Sequence, residues 1–184
     1  MKPHRKGRPR CPLGGGRGSA IVLALLLGGA AAGAAESTRP DPDTVGRADY
    51  AWPLETLDGE TVRLSAYRGD VLVIHMWATW CAPCVAELAT FRRLVRSMED
   101  SDVRFLFVSP EDPEPVRRFL RLYGYQGLPV YLEGRPMPEA YGLEALPTTW
   151  IVDRHGRIVL KHRGTADWDS DRVRRFLLRL SGPA

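Results

Sequence analysis

The stretch from Val71 to Trp77, VLVIHMW, restricts the fold of this 184-residue chain more than any other segment. It is apolar at almost every position, whereas a strand with one face in water alternates apolar and polar residues. A continuous apolar run is typical of a strand that is covered on both faces, as the strands of parallel sheets are. We therefore predict a central strand here.

Helices are predicted where apolar residues recur three and four positions apart. One covers about 81–98, a second occupies 115–124 with a proline in its first turn, and a third follows a capping residue at Asp169 or Ser170. The other predicted strands are 54–57 and 61–64, which form an N-terminal hairpin around Asp58-Gly59, then 103–108, 130–132, 149–152 and 157–161. This order predicts an α/β fold with a central mixed sheet flanked by helices.

The charge of the chain is unevenly distributed. The net charge is +4, but the first 35 residues contain six basic side chains and no acidic one. Without these six, 20 basic residues remain against 22 acidic ones. The folded part therefore carries no basic excess of the kind that nucleic-acid binding requires, and we expect no nucleic-acid partner.

The N-terminal segment has the layout of an export signal. Basic residues precede an uncharged apolar run at 21–35 that ends in small residues. We predict a Sec-type signal over 1–35, because no pair of arginines suggests the twin-arginine route. The segment is either cleaved or kept as a membrane anchor through 19–35. Either outcome places the rest of the chain outside the cytoplasm, in the periplasm of a bacterium with two membranes.

A flexible linker is predicted between this signal and the domain. Residues 36–49 are polar, rich in Pro and Asp, and show no apolar periodicity. We therefore place the folded domain at 50–184. Cys11 precedes the apolar run, so the exported part retains two cysteines, Cys81 and Cys84.

These two cysteines lie in Trp80-Cys81-Ala82-Pro83-Cys84, where the predicted central strand turns into a helix. At a helix N-terminus, free backbone N–H groups and the helix dipole stabilise a thiolate, so Cys81 is the predicted nucleophile and is expected to be exposed. Cys84 lies one turn further and is predicted to be buried with a raised pKa. It would act as the resolving thiol that attacks the mixed disulfide at Cys81.

Three other uses of the cysteine pair remain open from the sequence. A purely structural disulfide would close too few residues to stabilise the fold strongly. A zinc site would need a second pair of ligands. Capture of copper by the dithiol, with or without His75 as a third ligand, is the third alternative, since soft thiolates select Cu(I).

Several motifs in fixed order carry a resemblance to a known family. They are Leu57-Asp58-Gly59 with Leu64-Ser65-Ala66-Tyr67-Arg68-Gly69, Trp77-Ala78-Thr79-Trp80-Cys81-Ala82-Pro83-Cys84, Tyr141-Gly142-Leu143, Leu146-Pro147-Thr148-Thr149, Val152-Asp153 and Gly156. In these motifs the chain resembles the TlpA/ResA-like branch of the thioredoxin superfamily, a group of extracytoplasmic thiol-disulfide oxidoreductases. The resemblance covers about residue 50 to the C-terminus and implies a thioredoxin-like fold.

The resemblance also implies roles for residues beyond the cysteines. It implies a cis peptide at Leu146-Pro147, packed against the disulfide, beside which an extended substrate segment can pair; an ordinary loop proline is the alternative. Glu87 matches an acidic residue of this branch and is predicted to exchange protons with the buried thiol, unless it is a solvated helix acid. Trp80 and Pro83 are predicted to contact the substrate, and Trp77 to belong to the core.

Two positions depart from the family pattern. His75 stands where thioredoxins carry a buried Asp and TlpA-like proteins commonly an Asn. In so apolar a strand its imidazole is expected to be buried and neutral, either as a proton acceptor for Cys84 or as a hydrogen-bonded core residue. Ala89 replaces a proline that kinks the active-site helix in most of the superfamily, which predicts a straighter helix.

The sequence therefore predicts an enzyme that reduces the disulfides of specific exported proteins. The resemblance suggests apocytochrome c or a copper-delivery protein of the respiratory oxidase as targets, and a membrane electron donor for re-reduction. We expect no cofactor, no resident metal and a monomer. The alternatives are a disulfide oxidant and a copper-binding redox chaperone. A peroxidase is disfavoured, because Ile74 and Ala78 replace the proline and threonine that peroxiredoxins carry before the reactive cysteine.

Overall fold

The computed structural model describes residues 45–182. The strands of this region are β1 (Gly46–Arg47), β2 (Pro53–Thr56), β3 (Thr61–Arg63), β4 (Val71–Met76), β5 (Val103–Ser109), β6 (Val130–Leu132), β7 (Thr148–Val152) and β8 (Arg157–Arg163). The α-helices are α1 (Ala82–Ser97), α2 (Pro113–Tyr123) and α3 (Asp171–Ser181), and short 3₁₀ turns lie at Leu64–Tyr67 and Glu139–Tyr141. The predicted export signal and residues 36–44 of the predicted linker lie outside the described residues.

The strands form one mixed sheet in the order β1-β8-β7-β4-β5-β6-β2-β3. β4, β5 and β6 run parallel to one another, and the other neighbouring pairs are antiparallel. The mixed sheet and the hairpin of β2 and β3 confirm the predicted α/β architecture.

β4 lies at the centre of the sheet, and all six of its residues are buried. Val71 and Val73 belong to one buried cluster, while Leu72, Ile74 and Met76 belong to a second cluster. Because successive side chains of a strand point to opposite faces, these clusters lie on the two faces of the sheet. Burial on both faces explains why this segment is apolar without alternation.

The helices are not divided between the two faces. The buried apolar residues of α1, α2 and α3 all belong to the first cluster, which contains Val71 and Val73. The opposite face is covered by Tyr50, Trp52 and residues of the two 3₁₀ turns, Leu64 and Tyr141. The predicted sheet flanked by helices therefore has its α-helices on one face and non-helical segments on the other.

The folded domain begins before the predicted boundary at Tyr50. The backbone N–H of Val45 donates to the carbonyl of Ile158 in β8 at 2.8 Å. The N–H of Ala48 donates to the carbonyl of Gly156, just before β8, at 2.9 Å. β1, between them, pairs antiparallel with β8. Residues 45–48 of the stretch predicted as a linker are thus bonded to the sheet. Their strand is only two residues long and is held by its backbone, so it has no apolar periodicity that a sequence could reveal.

The helix ends follow the predicted signals with one exception. Cys81 is the N-cap residue of α1, and α2 ends at Gly124, whose φ of 71° is left-handed. Ser170 is the N-cap residue of α3, but its side chain makes no capping hydrogen bond. Asp169 instead accepts hydrogen bonds from Arg93 and Arg174. α1 continues without interruption through Ala89. No helix among residues 45–182 has the length and apolar character needed to cross a membrane.

Candidate active site

The two cysteines lie where β4 leads into α1, and they form a disulfide with an S–S distance of 2.06 Å. A hydrogen bond of 3.1 Å from the Cys81 N–H to the Ala78 carbonyl closes the turn before the helix. The Cys81 Sγ also accepts a hydrogen bond from the Cys84 N–H at 3.3 Å. This sulfur therefore occupies the N-cap position, where helix N–H groups stabilise a thiolate.

The two sulfur-bearing residues differ in exposure, though less than the sequence predicts. Cys84 is fully buried and Cys81 is 6% exposed. The expectation of an openly exposed Cys81 is therefore wrong for the disulfide form, because the N-cap geometry turns its side chain over the first helical turn. Trp80 and Pro83 beside it are exposed, with 70% of Trp80 accessible. Trp80 and Pro83 thus form an accessible surface next to the buried cysteine pair in the sequence.

The peptide between Leu146 and Pro147 is cis, as the resemblance implies. Pro147 immediately precedes β7, which pairs with β4 in a register that sets Met76 opposite Thr148. This register places Pro147 opposite the end of β4, where the active-site turn begins. Its carbonyl accepts a hydrogen bond of 2.9 Å from the N–H of Gly164.

His75 is completely buried on the face of the sheet that α1 covers. Its ring lies 4.5 Å from that of Phe91 and 5.6 Å from that of Phe107, between centroids. Nδ1 is 2.9 Å from the hydroxyl oxygen of Thr149, which lies opposite His75 on β7. Burial lowers the pKa of His75 to about 3, so the imidazole is neutral at physiological pH.

Glu87 is also buried, although it lies on a helix. One carboxylate oxygen, Oε2, accepts hydrogen bonds from the indole N–H of Trp168 at 2.6 Å and from the N–H of Ala166 at 3.1 Å. Burial raises the pKa of this carboxyl, and the two hydrogen bonds act in the opposite direction. Glu87 is therefore not a solvated helix acid, the alternative that the sequence left open.

The structure brings His75 and Glu87 together. His75 Nε2 lies 3.6 Å from Glu87 Oε1, and neither atom has a hydrogen-bond partner among residues 45–182. Buried polar atoms without partners are uncommon, and here two of them face each other. Glu87 follows Cys84 by three positions on α1, so the carboxyl lies on the same side of the helix as the buried sulfur.

Two residues of this buried group were not predicted from the sequence. Trp168 stacks on Phe91, with ring centroids 4.9 Å apart, while its indole holds Glu87. Thr149 belongs to a motif that carried the resemblance, which could have indicated its contact with His75. Trp168 is 81 positions from Glu87 and no local pattern indicates it. Trp77 is buried, as predicted for a core residue.

Among residues 45–182, no group of three or more His, Cys, Asp or Glu side chains is arranged to hold a metal ion. His75, which the copper alternative uses as a third ligand, has Thr149 and Glu87 at its two ring nitrogens.

The reaction that this arrangement supports is the exchange of a dithiol with a disulfide. A ring between cysteines three positions apart adds little stability as a cross-link, so opening it removes little stability from the fold. The mixed sheet, the cis proline and this pair define the protein as a thiol-disulfide oxidoreductase with a thioredoxin-like fold. The chain belongs to the AhpC/TSA family, which its residues 45–161 match.

Individual relatives agree with this class. The chain is 34% identical over 112 residues to the thiol-disulfide oxidoreductase ResA of Halalkalibacterium halodurans, covering 60% of this chain and 64% of that relative. It is 31% identical over 144 residues to ResA of Geobacillus thermodenitrificans, covering 75% and 81%. The predicted resemblance to ResA-like proteins is thereby confirmed.

Solved structures confirm the fold. The exposed lipoprotein thioredoxin of Streptococcus pneumoniae is 28% identical with a TM-score of 0.56, over 70% of this chain and 98% of the other. A thiol:disulfide interchange protein from Bacteroides sp. is 20% identical with a TM-score of 0.62, over 76% and 91%.

Proposed function

We propose that the protein reduces the disulfides of specific exported proteins outside the cytoplasm. The observation that carries this proposal is the asymmetry of the pair: Cys81 at the helix N-terminus, beside the exposed Trp80, and Cys84 fully buried. A nucleophile must meet a protein partner, whereas a resolving thiol must be shielded from one. The predicted export signal and the similarity to an exposed lipoprotein support the location.

The reaction has two exchange steps. The Cys81 thiolate attacks one sulfur of the target disulfide, forms a mixed disulfide and releases the other target sulfur as a thiolate. Cys84, once deprotonated, attacks the Cys81 sulfur, which closes the enzyme disulfide and releases the second target thiolate. Two electrons have then passed from the enzyme dithiol to the target, whose two released thiolates take up protons from the surrounding water.

Glu87 is proposed to take the proton from Cys84 in the second step. A buried thiol cannot lose its proton to water directly, and the Glu87 carboxyl lies one helical turn away. Burial raises the pKa of this carboxyl, which makes it a stronger proton acceptor than an exposed glutamate. Neutral His75, whose Nε2 lies 3.6 Å from Oε1, is proposed to hold the carboxyl in this position and to accept a hydrogen bond from it once it is protonated.

Replacing Glu87 by Gln tests this proton transfer. Gln retains the shape and an oxygen for the Trp168 indole but cannot carry the proton, so closure of the enzyme disulfide from a mixed disulfide at Cys81 should slow about 100-fold. Stopped-flow release of glutathione from that mixed disulfide measures the rate. Glu99→Gln, an exposed position beyond α1, is the matched control. An unchanged rate in Glu87→Gln would contradict the role.

The proposed partners are exported proteins that carry a disulfide or dithiol, such as apocytochrome c or a copper-delivery protein. Since the reaction oxidises the enzyme, a membrane electron donor is proposed to reduce it again. The exposed Trp80 and Pro83, with the segment at Leu146 and Pro147, are proposed to bind an extended stretch of the target. No cofactor is needed, and the enzyme is proposed to act as a monomer.

Trapping with Cys84→Ser tests the function most directly. Without the resolving thiol, the mixed disulfide at Cys81 should persist, and exported target proteins should be recovered covalently bound. Non-reducing gels followed by mass spectrometry identify them, and Cys81→Ser is the control that traps nothing. Absence of any exported thiol protein from the Cys84→Ser complexes would refute the proposal.

The direction of electron flow is decided by the reduction potential of the pair. A value of about −270 mV, as in thioredoxin, marks a reductant, and about −120 mV marks an oxidant. Titration of the reduced protein with Cu(I) tests the copper alternative, which requires stoichiometric tight binding.

A further inference from the structure

The carboxylate of Glu111 is hydrogen-bonded to the turn that carries Trp80 and Cys81. Oε2 accepts from the backbone N–H of Thr79 at 2.6 Å, and Oε1 accepts from the Thr79 hydroxyl at 2.6 Å. Both carboxylate oxygens therefore bind one residue, which fixes the orientation of that residue as well as its position. Glu111 lies on the segment between β5 and α2, 32 positions from Thr79.

Thr79 is a central residue of the active-site turn. The hydrogen bond from the Cys81 N–H to the Ala78 carbonyl closes this turn, with Thr79 and Trp80 between its ends. The side chain of Trp80 is largely in solvent and gives the turn little support. The two bonds to Glu111 therefore anchor the turn immediately before Cys81.

Glu111 is itself attached to the sheet. The Ser109 hydroxyl donates to Oε2 at 3.1 Å, and the N–H of Glu111 lies 3.3 Å from the Ser109 hydroxyl oxygen. Ser109 is buried at the end of β5 and lies opposite Leu132 on β6. The carboxylate thus links the active-site turn to the end of β5.

The contact is not part of a salt bridge. No Lys or Arg within residues 45–182 pairs with Glu111, so its charge meets N–H and O–H donors alone. Hydrogen bonds to an ionised acceptor are stronger than those between neutral groups. This carboxylate therefore fixes the position of the turn and does not neutralise a cation.

We propose that Glu111 is a positioning residue for disulfide exchange, which holds Thr79 so that the turn presents Cys81 at the N-terminus of α1. The proposal rests on the proposed role of Cys81 as the attacking thiol. Gln at this position preserves the arrangement, because its oxygen can accept from the Thr79 N–H while its amide donates to the Thr79 hydroxyl. Ala removes every one of these bonds.

The test is the alkylation rate of Cys81 in the reduced full-length protein. Iodoacetamide is the probe, and peptide mass spectrometry counts Cys81 separately from Cys11 and Cys84. Glu111→Ala should slow the modification of Cys81 about tenfold, because a displaced turn moves the sulfur away from the helix N–H groups. Glu111→Gln should stay within about twofold of the wild-type rate, since it retains hydrogen bonds to Thr79.

A double-mutant cycle separates positioning from a general loss of order. Thr79→Ala should slow the reaction less than Glu111→Ala, and the double variant should match Glu111→Ala, since residues of one network are not additive. Glu114→Ala, an exposed glutamate at the start of α2, is the control and should react at the wild-type rate.

Wild-type alkylation in folded Glu111→Ala, or additive effects with Thr79→Ala, would overturn the proposal. If Glu111→Ala does not fold, Thr79→Val decides instead, because it removes the hydroxyl bond and keeps the side-chain shape. An alkylation rate of Cys81 in Thr79→Val equal to that of wild type would then contradict the proposal. Iodoacetamide needs no protein target, so failure here is distinguishable from failure of the trapping experiment with Cys84→Ser.

Discussion

His75 places an ionisable ring where the protein cannot accommodate its charge. The ring is enclosed by Phe91 and Phe107 and faces one hydroxyl and one carboxyl oxygen. Burial lowers its pKa because the charged form loses its hydration. In the unfolded chain this His has a pKa of about 6.5. Just below that pH the unfolded chain therefore binds a proton at His75, while the ring in the folded protein stays neutral.

This difference makes stability depend on pH in a defined direction. Between pH 6.5 and about 3 the unfolded state binds the extra proton, so the free energy of unfolding should fall by about 1.4 kcal/mol per pH unit on acidification. Glu87 acts oppositely, since its raised pKa stabilises the folded state at low pH and this stability is lost as pH rises above 4.5. Glu87 is present both in wild type and in a His75→Asn variant, so a comparison of the two proteins isolates the contribution of His75.

Replacing His75 by Asn removes the titrating ring and retains a polar group for Thr149. We expect wild type to lose about 3 kcal/mol more than His75→Asn between pH 7.5 and pH 4.5. Urea unfolding at the two pH values measures the loss. Parallel losses in both proteins would mean that His75 accepts its proton without cost, contrary to its burial.

The residues of the site differ in how far the sequence could predict them. The cysteine pair, Pro147 and the burial of His75 follow from local patterns, because each lies in a motif or a strongly apolar strand. The burial of Glu87 does not, since it depends on Trp168 from a distant segment. The link between Glu111 and Thr79 is equally non-local, and neither residue belongs to a periodic pattern.

At the scale of elements, long periodic segments were predicted correctly and the short strand β1 was missed. α1, β4 and β5 each bury several side chains, so their composition indicates them. β1 buries none of its residues completely and is held by backbone bonds to β8. Its position depends on the turn between β7 and β8, against which Tyr50 packs.

Gly156 in that turn offers a test of this packing. Its φ is +77°, and a Cβ there would lie 2.9 Å from Tyr50 Cε2. Gly124 has a similar φ of +71° but open space around it, which makes it the matched control. Ala at Gly124 should cost about 1 kcal/mol for the left-handed backbone alone. Gly156→Ala should cost clearly more, because buried Tyr50 must also move. Equal losses in denaturant unfolding would contradict this account.

At the scale of the whole molecule, stability depends on the two faces of the sheet rather than on the disulfide. Each face has its own cluster of buried side chains, while the disulfide closes a loop of only a few residues. The enzyme can therefore change its oxidation state and keep its fold, as repeated exchange requires.

The N-terminal limit of the fold can be located by comparing two shortened chains. A chain that begins at Tyr50 lacks β1 and the backbone bonds of Val45 and Ala48, whereas one that begins at Val45 retains them. The longer chain should be more stable by roughly 1–3 kcal/mol. Equal stability of the two chains in urea would mean that residues 45–49 add nothing to the fold and act as the linker that the sequence predicts.

The described sheet ends in short strands on both sides, with two residues in β1 and three in β3. An edge strand carries unpaired N–H and C=O groups to which a foreign strand can add. Such short edges allow few of these bonds, and the exposed Arg47 and Arg63 would bring like charges together in any stacked array. At β1 and β3 the folded protein thus offers a growing fibril few backbone bonds to which it could add.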